Sequence, residues 1–383
     1  MTDSKGILDQ LVQFESVSRN SNLELISFIR EFLSRHGVAV KLVHDESGTK
    51  ANLFATIGSA DVPGVMLSGH TDVVPVDGQN WSHPAFRLTT QDGLLFGRGT
   101  ADMKGFIACC LSLVGRMDAG RLKTPIHLAF SYDEEVGCIG VRRLIDMLNE
   151  FGPKARFCIV GEPTSMQVAT AHKGKIAARA VFHGVEAHSS LAPQGLNAIH
   201  LACDFVGRLR SRQAHFATQG QQDTDYDVAY TTLHAGLISG GVALNIVPRD
   251  ASVDFEIRHL PGDDPDKIIA DLRADAADIL RSYRDPFPQS AIEINVLNAY
   301  PGLDTPVSSE IVGFVKKLTG ANATTKIAFG TEGGLFNKHM GLPVVVCGPG
   351  SIAQAHKPDE FVSEEQLARC DAFMDRLAAE LSS

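Results

Sequence analysis

Histidine and carboxylate residues follow short apolar runs at four well-separated places in this 383-residue chain. Residues 65–68 lead into Gly69-His70-Thr71-Asp72, residues 126–131 into Tyr132-Asp133-Glu134-Glu135, and residues 157–160 into Gly161-Glu162-Pro163. Residues 343–347 are followed by a Gly-Pro-Gly turn and then by Ala355-His356-Lys357-Pro358. A further acid, Asp102, lies in Gly97-Arg98-Gly99-Thr100-Ala101-Asp102-Met103-Lys104-Gly105, a glycine-rich turn that opens a helical pattern. Imidazole and carboxylate without thiolate suit zinc or cobalt, and manganese less exclusively. Two histidines and this many acids exceed what one catalytic metal uses. A second metal would take up the remainder, with Asp102 placed to bridge the pair. Glu134 and Glu135 are neighbours, and neighbours in extended chain point opposite ways. One can then ligate metal while the other meets the bound water. Taken singly, each residue has an ordinary use as a cap, a turn or a surface charge. Their convergence on segment ends is what argues for a site.

Such convergence needs a frame. The runs 38–43, 53–57, 65–68, 126–131, 157–160 and 343–347 read as short buried strands. Helical patterns lie between them: one through Leu25, Ile26, Ile29, Phe32 and Leu33 with Gly37 as its C-cap, and one over 103–117. Others precede residue 157, fall near 308–319, and run from Ser363 to the end. Continuous apolar strands separated by helices predict an open α/β sheet covered on both faces. Ligands of such sheets bind beyond the carboxyl ends of the strands. The middle of the chain reads differently, with strands at 176–182, 228–235, 252–258 and 291–297 and helices over 196–212 and 265–283. That order is β-α-β-β-α-β, as in a ferredoxin-like sandwich. The domain expectation is a catalytic unit in two pieces, 1–175 and 291–383, interrupted by an α+β unit over 176–290.

Composition narrows the partners. A net charge of -10 offers no basic stripe for nucleic acid. No apolar run approaches the roughly 20 residues that span a bilayer. The start, Met1-Thr2-Asp3-Ser4-Lys5-Gly6, lacks the apolar stretch of a signal peptide, so a cytoplasmic location is expected. The seven cysteines show no CxxC spacing and sit mostly in apolar runs, as buried free thiols of a reducing compartment do. The Gly330-Thr331-Glu332-Gly333-Gly334 block is a glycine-rich turn without a phosphate-loop signature.

In combination, Ser68-Gly69-His70-Thr71-Asp72-Val73-Val74-Pro75, the block around Asp102, Asp133-Glu134-Glu135-Val136-Gly137 and Gly161-Glu162-Pro163-Thr164 resemble the M20 family of metallopeptidases and deacylases. The likeness runs almost from end to end. It implies a zinc-peptidase-like catalytic domain with a central mixed sheet, and an inserted ferredoxin-like domain serving as lid and homodimer contact. It also implies two divalent metal ions, zinc foremost and cobalt next. His70 and Glu162 would bind one, Glu135 and His356 the other, and Asp102 would bridge. Asp72 would orient His70 through its second ring nitrogen, Glu134 would be the general base, and the peptide after Asp102 would be cis. His188, in Phe182-His183-Gly184-Val185-Glu186-Ala187-His188-Ser189-Ser190, matches the histidine that stabilises the oxyanion, in its own or the partner subunit's site. Asn245 and Arg258 match positions that hold a substrate carboxylate, a task for which an arginine fork is well shaped. Thr331 and Glu332 fall at the active-site rim, where Glu332 could face a cationic substrate side chain.

The implied activity is hydrolysis of an N-acyl amino acid amide. The blocks 100–108, 192–198 and 329–336 look most like those of the family branch that converts N-acetyl-L-ornithine to ornithine and acetate. A succinyl-diaminopimelate desuccinylase is the main alternative; it would need a further cation for the succinyl carboxylate. An aminoacylase or dipeptidase is the next. A non-catalytic binding protein on the same fold would show a broken ligand set, whereas all five ligand positions and Glu134 are intact here.

Overall fold

The computed structural model describes residues 3–383, and all six apolar runs of the outer segments become strands of one mixed sheet. Among the described residues this sheet has nine strands. Its path is Val40–His44, Ala51–Ile57, Ile126–Ser131, Gly64–His70, Ala155–Pro163, Val344–Gly348, Ala169–His172 and Leu303–Asp304, with Thr325–Ile327 also paired to Ala169–His172. The four central strands, Ile126–Ser131, Gly64–His70, Ala155–Pro163 and Val344–Gly348, run parallel, so their carboxyl ends share one edge. The outer pairings are antiparallel.

Alternation along the strands divides the core. Val65, Leu67, Phe157, Ile159, Val345 and Cys347 join the cluster formed with helices Ser4–Val12, Leu23–Arg35, Gly105–Arg116 and Glu364–Leu381. Met66, Cys158, Val160, Val344 and Val346 are equally buried but lie outside that cluster, on the alternate face. Helices Gly140–Phe151 and Gly333–Met340 pack on each other, the first against Val40–His44, Ala51–Ile57 and Ile126–Ser131 and the second against Ala155–Pro163 and Val344–Gly348. Helix Gly333–Met340 replaces the plain turn expected at the glycine-rich block. A small three-stranded sheet of Phe361–Ser363, Leu94–Phe96 and Thr89–Gln91 had no sequence signal. The seven cysteines are free, six of them buried and Cys203 exposed. No helix among the described residues is long and apolar enough to cross a membrane.

The chain forms two compact units. The first runs to Ala171 and resumes with Leu303–Lys326 and Thr331–Ser383; the second comprises His172–Gly302 and Ile327–Gly330. The second unit has the expected β-α-β-β-α-β order. Its antiparallel sheet is ordered Thr232–Gly240, Asp250–His259, Gly174–His183, Ala291–Tyr300, with helices Ala198–Gln219 and Pro265–Leu280 packed on it. Strict alternation in Gly174–His183 puts Ile176, Ala178, Ala180 and Phe182 into its core with Phe205 and Phe255.

Two expectations are corrected here. The boundary at 290 moves to Gly302, because strand Ala291–Tyr300 pairs along the whole of Gly174–His183 and belongs to that sheet. The strand expected at 228–235 starts at Thr232. The carbonyls of Val228 and Tyr230 are taken by the Lys173 ammonium, at 2.8 and 2.6 Å, and that segment is not part of the ladder.

Candidate metal centre

Two of the parallel strands end on a donor, and the turn and loop after the other two carry the rest. His70 closes Gly64–His70, and Glu162 comes at the end of Ala155–Pro163. Gly161 lies directly against Phe106; a Cβ there would collide with the ring, so helix and strand approach this closely only because the residue is glycine. Asp102 sits in a kinked turn, Thr100–Lys104, ahead of helix Gly105–Arg116; its backbone is extended rather than helical (φ -124°, ψ 91°), and its peptide to Met103 is cis. Gly99, which leads into that turn, has a left-handed φ of 84°.

Glu134 and Glu135 do not lie in extended chain as expected. Asp133 takes a φ of 56° and is held by Lys50 Nζ at 2.6 Å. The carbonyl of Glu134 accepts from the N–H groups of Gly137 and Cys138, both at 2.8 Å, so the two glutamates enter a turn. The Asp72 carboxylate fixes that turn. It accepts from the N–H of Glu134 at 3.1 Å, from that of Glu135 at 3.3 Å and from Ser18 Oγ at 2.7 Å. Toward His70 the nearer partner is the Asp72 backbone carbonyl, 2.9 Å from Nδ1, while the carboxylate stands at 3.6 Å. Asp72 therefore orients His70 chiefly through its main chain. Its side chain positions the glutamate pair, a role the sequence did not reveal.

The donors gather into two triads, His70/Asp102/Glu162 and Asp102/Glu135/His356, with ligand atoms within 4.8 Å of one another in each. Asp102 belongs to both: its Oδ1 is 2.9 Å from His70 Nε2 and its Oδ2 is 3.4 Å from His356 Nε2. His356 Nε2 is also 3.0 Å from Glu135 Oε2, and His70 Nε2 is 3.7 Å from Glu162 Oε1. The His356 side chain is 52% exposed and the other four are buried.

Burial pushes Glu134 up to about 8 and Glu135 to about 7, and lifts Glu162 well above the usual carboxylate range; neighbouring acids add to each rise. Hydrogen bonds to Asp102 and Glu135 raise His356 to about 10. Burial works against Asp102, yet hydrogen bonds from His356 and His70 hold it below its ordinary value. Acids are thus crowded where water is excluded, which favours their protonated forms until a cation compensates. Glu135 Oε1 is buried without a hydrogen-bond partner, an arrangement that folded proteins rarely tolerate. Divalent cations at the triads would take that oxygen and neutralise the acids, so the residues fit a two-metal site of the imidazole–carboxylate type.

Thr331 and Glu332 are not at a rim. Glu332 is enclosed, accepts from Ser131 Oγ at 2.5 Å and Ser68 Oγ at 3.3 Å, and is raised by burial to about 7. Hydroxyls at the ends of two adjacent strands draw it inward. Thr331 Oγ1 accepts from the Gly333 N–H at 2.9 Å, serving the start of the helix.

The second unit holds the remaining candidates. The segments of His188 and Asn245 lie side by side, joined by Ser189 N–H to the Asn245 carbonyl at 3.0 Å and Val247 N–H to the Ala187 carbonyl at 2.8 Å. Both side chains are exposed. His188 Nδ1 accepts from the Ser190 N–H at 3.2 Å. Arg258 donates from Nε to Glu256 at 2.5 Å and from Nη1 to the Tyr300 hydroxyl at 3.1 Å. Lys175 reaches the same Glu256 at 3.0 Å.

An α/β sheet with metal donors at its carboxyl edge, interrupted by an α+β unit, defines a class of metal-dependent hydrolases, and the chain belongs to peptidase family M20/M25/M40, whose model matches residues 66–380. It is 34% identical over 383 residues to an acetylornithine deacetylase of Myxococcus xanthus, covering 98% of this chain and 96% of that one. An acetylornithine deacetylase of Pasteurella multocida is 34% identical over 346 residues, covering 90% and 87%. An M20 family metallo-carboxypeptidase of Sulfolobus solfataricus shares the fold over the whole of both chains, with a TM-score of 0.82 at 19% identity. The chain is accordingly a hydrolase of amide bonds.

Proposed function

We propose that this hydrolase removes the acetyl group from N-acetyl-L-ornithine, releasing ornithine for arginine synthesis. The pair of triads sharing Asp102 carries the hydrolytic reading. The substrate rests on the two deacetylases at 34% identity. His70, Asp102 and Glu162 would hold one ion, and Asp102, Glu135 and His356 the other, zinc foremost and cobalt next. Ions bound there lower the pKa of water and polarise the amide carbonyl.

Glu134 takes a proton from the attacking water and delivers it to the departing amine. Oxygen joins the acyl carbon, the C–N bond breaks, and acetate and the free amine leave. His188 serves the oxyanion: its Nδ1 accepts from the Ser190 N–H, which leaves Nε2 as the ring's donor. Arg258 and Asn245 hold the α-carboxylate. The Arg258 guanidinium has five N–H donors, and its bonds to Glu256 and Tyr300 use only two. Lys175 is tied to Glu256, so it is not a spare cation for a succinyl group, which favours acetyl over succinyl substrates.

A cytosolic homodimer completes the reading. Strand Thr232–Gly240 is an edge strand with Leu237 and Ile238 exposed, a surface suited to a second copy. Buried free thiols suit a reducing compartment. The test is a panel of N-acyl amino acids assayed with added zinc or cobalt. A clear preference for acetylornithine is expected; equal rates on acetylmethionine would defeat the substrate assignment.

A further inference from the structure

Glu360 lies shortly after His356 and is 1% exposed. Its Oε1 accepts from the N–H groups of Ala101 at 3.0 Å and Asp102 at 3.1 Å. Its Oε2 accepts from the Gly99 N–H at 3.0 Å and from Arg98 Nη1 at 2.6 Å. One carboxylate thus satisfies three amides of the kinked turn that presents Asp102, with charge-assisted bonds. The circuit continues through Arg98, whose Nη2 donates to Gln79 Oε1 at 2.7 Å and whose guanidinium lies 5.0 Å from the centre of the Trp81 ring. Gln79 Nε2 then donates to the backbone carbonyl of His356 at 2.9 Å. Asp359 adds a tie, accepting from the N–H groups of Ser82 at 2.9 Å and His83 at 3.1 Å.

His356 needs such support more than the other ligands do. His70 and Glu162 end strands of a buried sheet, whereas His356 stands in a loop, half exposed, with a left-handed φ of 63°. A fully buried Arg–Glu pair is a poor source of stability, because desolvation offsets much of the attraction. What this pair supplies is a fixed distance between two loops.

We propose that Glu360, with Arg98 and Gln79, is a positioning group for the second metal site: it locks the turn of Asp102 to the loop of His356, so that the Asp102/Glu135/His356 triad closes only while the clamp is intact. This rests on the ligand assignment proposed above. The first triad keeps His70 and Glu162 at strand ends and depends on the clamp much less.

The test uses the full chain stripped by chelator and titrated with zinc, reading stoichiometry by elemental analysis and affinity by calorimetry. Trp81, the single tryptophan, reports on the clamp by its emission. The wild type is expected to bind two zinc ions, with Trp81 emission responding to the second. Glu360→Gln is expected to keep the first and bind the second on the order of 10–100-fold more weakly, with no emission response. Gln79→Ala, at a half-exposed position that does not endanger folding, should weaken only the second, by about fivefold. Either variant, folded and binding both ions as tightly as wild type, overturns the clamp. A wild type that binds no zinc overturns the ligand assignment, and the clamp's role with it.

Discussion

Removing the metals should make the stability of this protein fall as pH rises, over a range where most proteins are near their optimum. In the metal-free chain Glu134 is raised from 4.5 to about 8 and Glu135 from 4.5 to about 7, in both cases chiefly by burial. Below pH 4.5 these groups are protonated whether the chain is folded or not, and they favour neither state. Between 4.5 and the folded value the unfolded chain releases the proton and the folded chain keeps it, so stability is lost across that window. His356, raised from 6.5 to about 10, acts in the same direction above 6.5. Asp72 and Asp102 are lowered, so their effect is confined to pH below their ordinary value of 3.8 and does not enter. At about 1.4 kcal/mol per pH unit, Glu134 alone sets a ceiling of roughly 5 kcal/mol. The acids share one field, so a realised loss of about 2–3 kcal/mol between pH 5 and 8 is the expectation, or about 2–4 °C in melting temperature for a chain of 383 residues. Bound metal would reverse this, because ligands must be deprotonated and binding then releases protons. The assay is thermal unfolding of chelated and zinc-loaded protein at pH 5, 6, 7 and 8. Widening separation of the two melting temperatures with pH is expected. A chelated protein whose melting temperature is flat or rises from pH 5 to 8 would refute the electrostatic account of the site.

Three substitutions probe other parts of the reading. Glu134→Gln should lower kcat by roughly 10²–10⁴ or more while zinc binding stays near wild type, checked by steady-state rates and metal content. Asp72→Ala removes the acceptor for Ser18 Oγ and for the N–H groups of Glu134 and Glu135. It should lower zinc affinity on the order of 10–100-fold and stability by about 1–3 kcal/mol; unchanged zinc affinity would contradict its role. Arg258→Lys gives up the planar fork and should raise KM for acetylornithine about tenfold with a smaller change in kcat, read from saturation kinetics.

The frame of this molecule was legible because burial imposes a pattern on residues. Strands buried on both faces must be apolar throughout, which is why five of the six runs could be placed to within a few residues; the sixth, Val40–His44, is a half-exposed edge strand. Parallel order then delivered His70, Glu134-Glu135, Glu162 and the His356 loop to one edge. The inserted unit was legible in order but not in extent. Its last strand, Ala291–Tyr300, completes the β-α-β-β-α-β order yet fell outside the boundary at 290; with only Ile294 and Tyr300 buried, its burial pattern did not mark where the unit ends. The burial of Glu332 was hidden for a related cause. An acid in a glycine-rich segment reads as exposed, and only the hydroxyls of Ser68 and Ser131, distant in sequence, draw it inward.

What stayed hidden was support supplied by groups whose partners are far apart in sequence. Nothing in Lys357-Pro358-Asp359-Glu360-Phe361 distinguishes Glu360 from a solvated acid, since its partners are backbone amides around residue 100. A backbone amide carries no side-chain signature, so a carboxylate that binds three of them is invisible until the fold closes. The same holds for the Asp72 side chain and the amides of Glu134 and Glu135. Ligands have a chemical type and can be read from residue names. The groups that aim them bind main chain, and their identity is a property of topology. A reading of such a site from sequence will therefore find the metal donors first and understate what holds them in place, and the least anchored donor, here His356, is where that omission matters most.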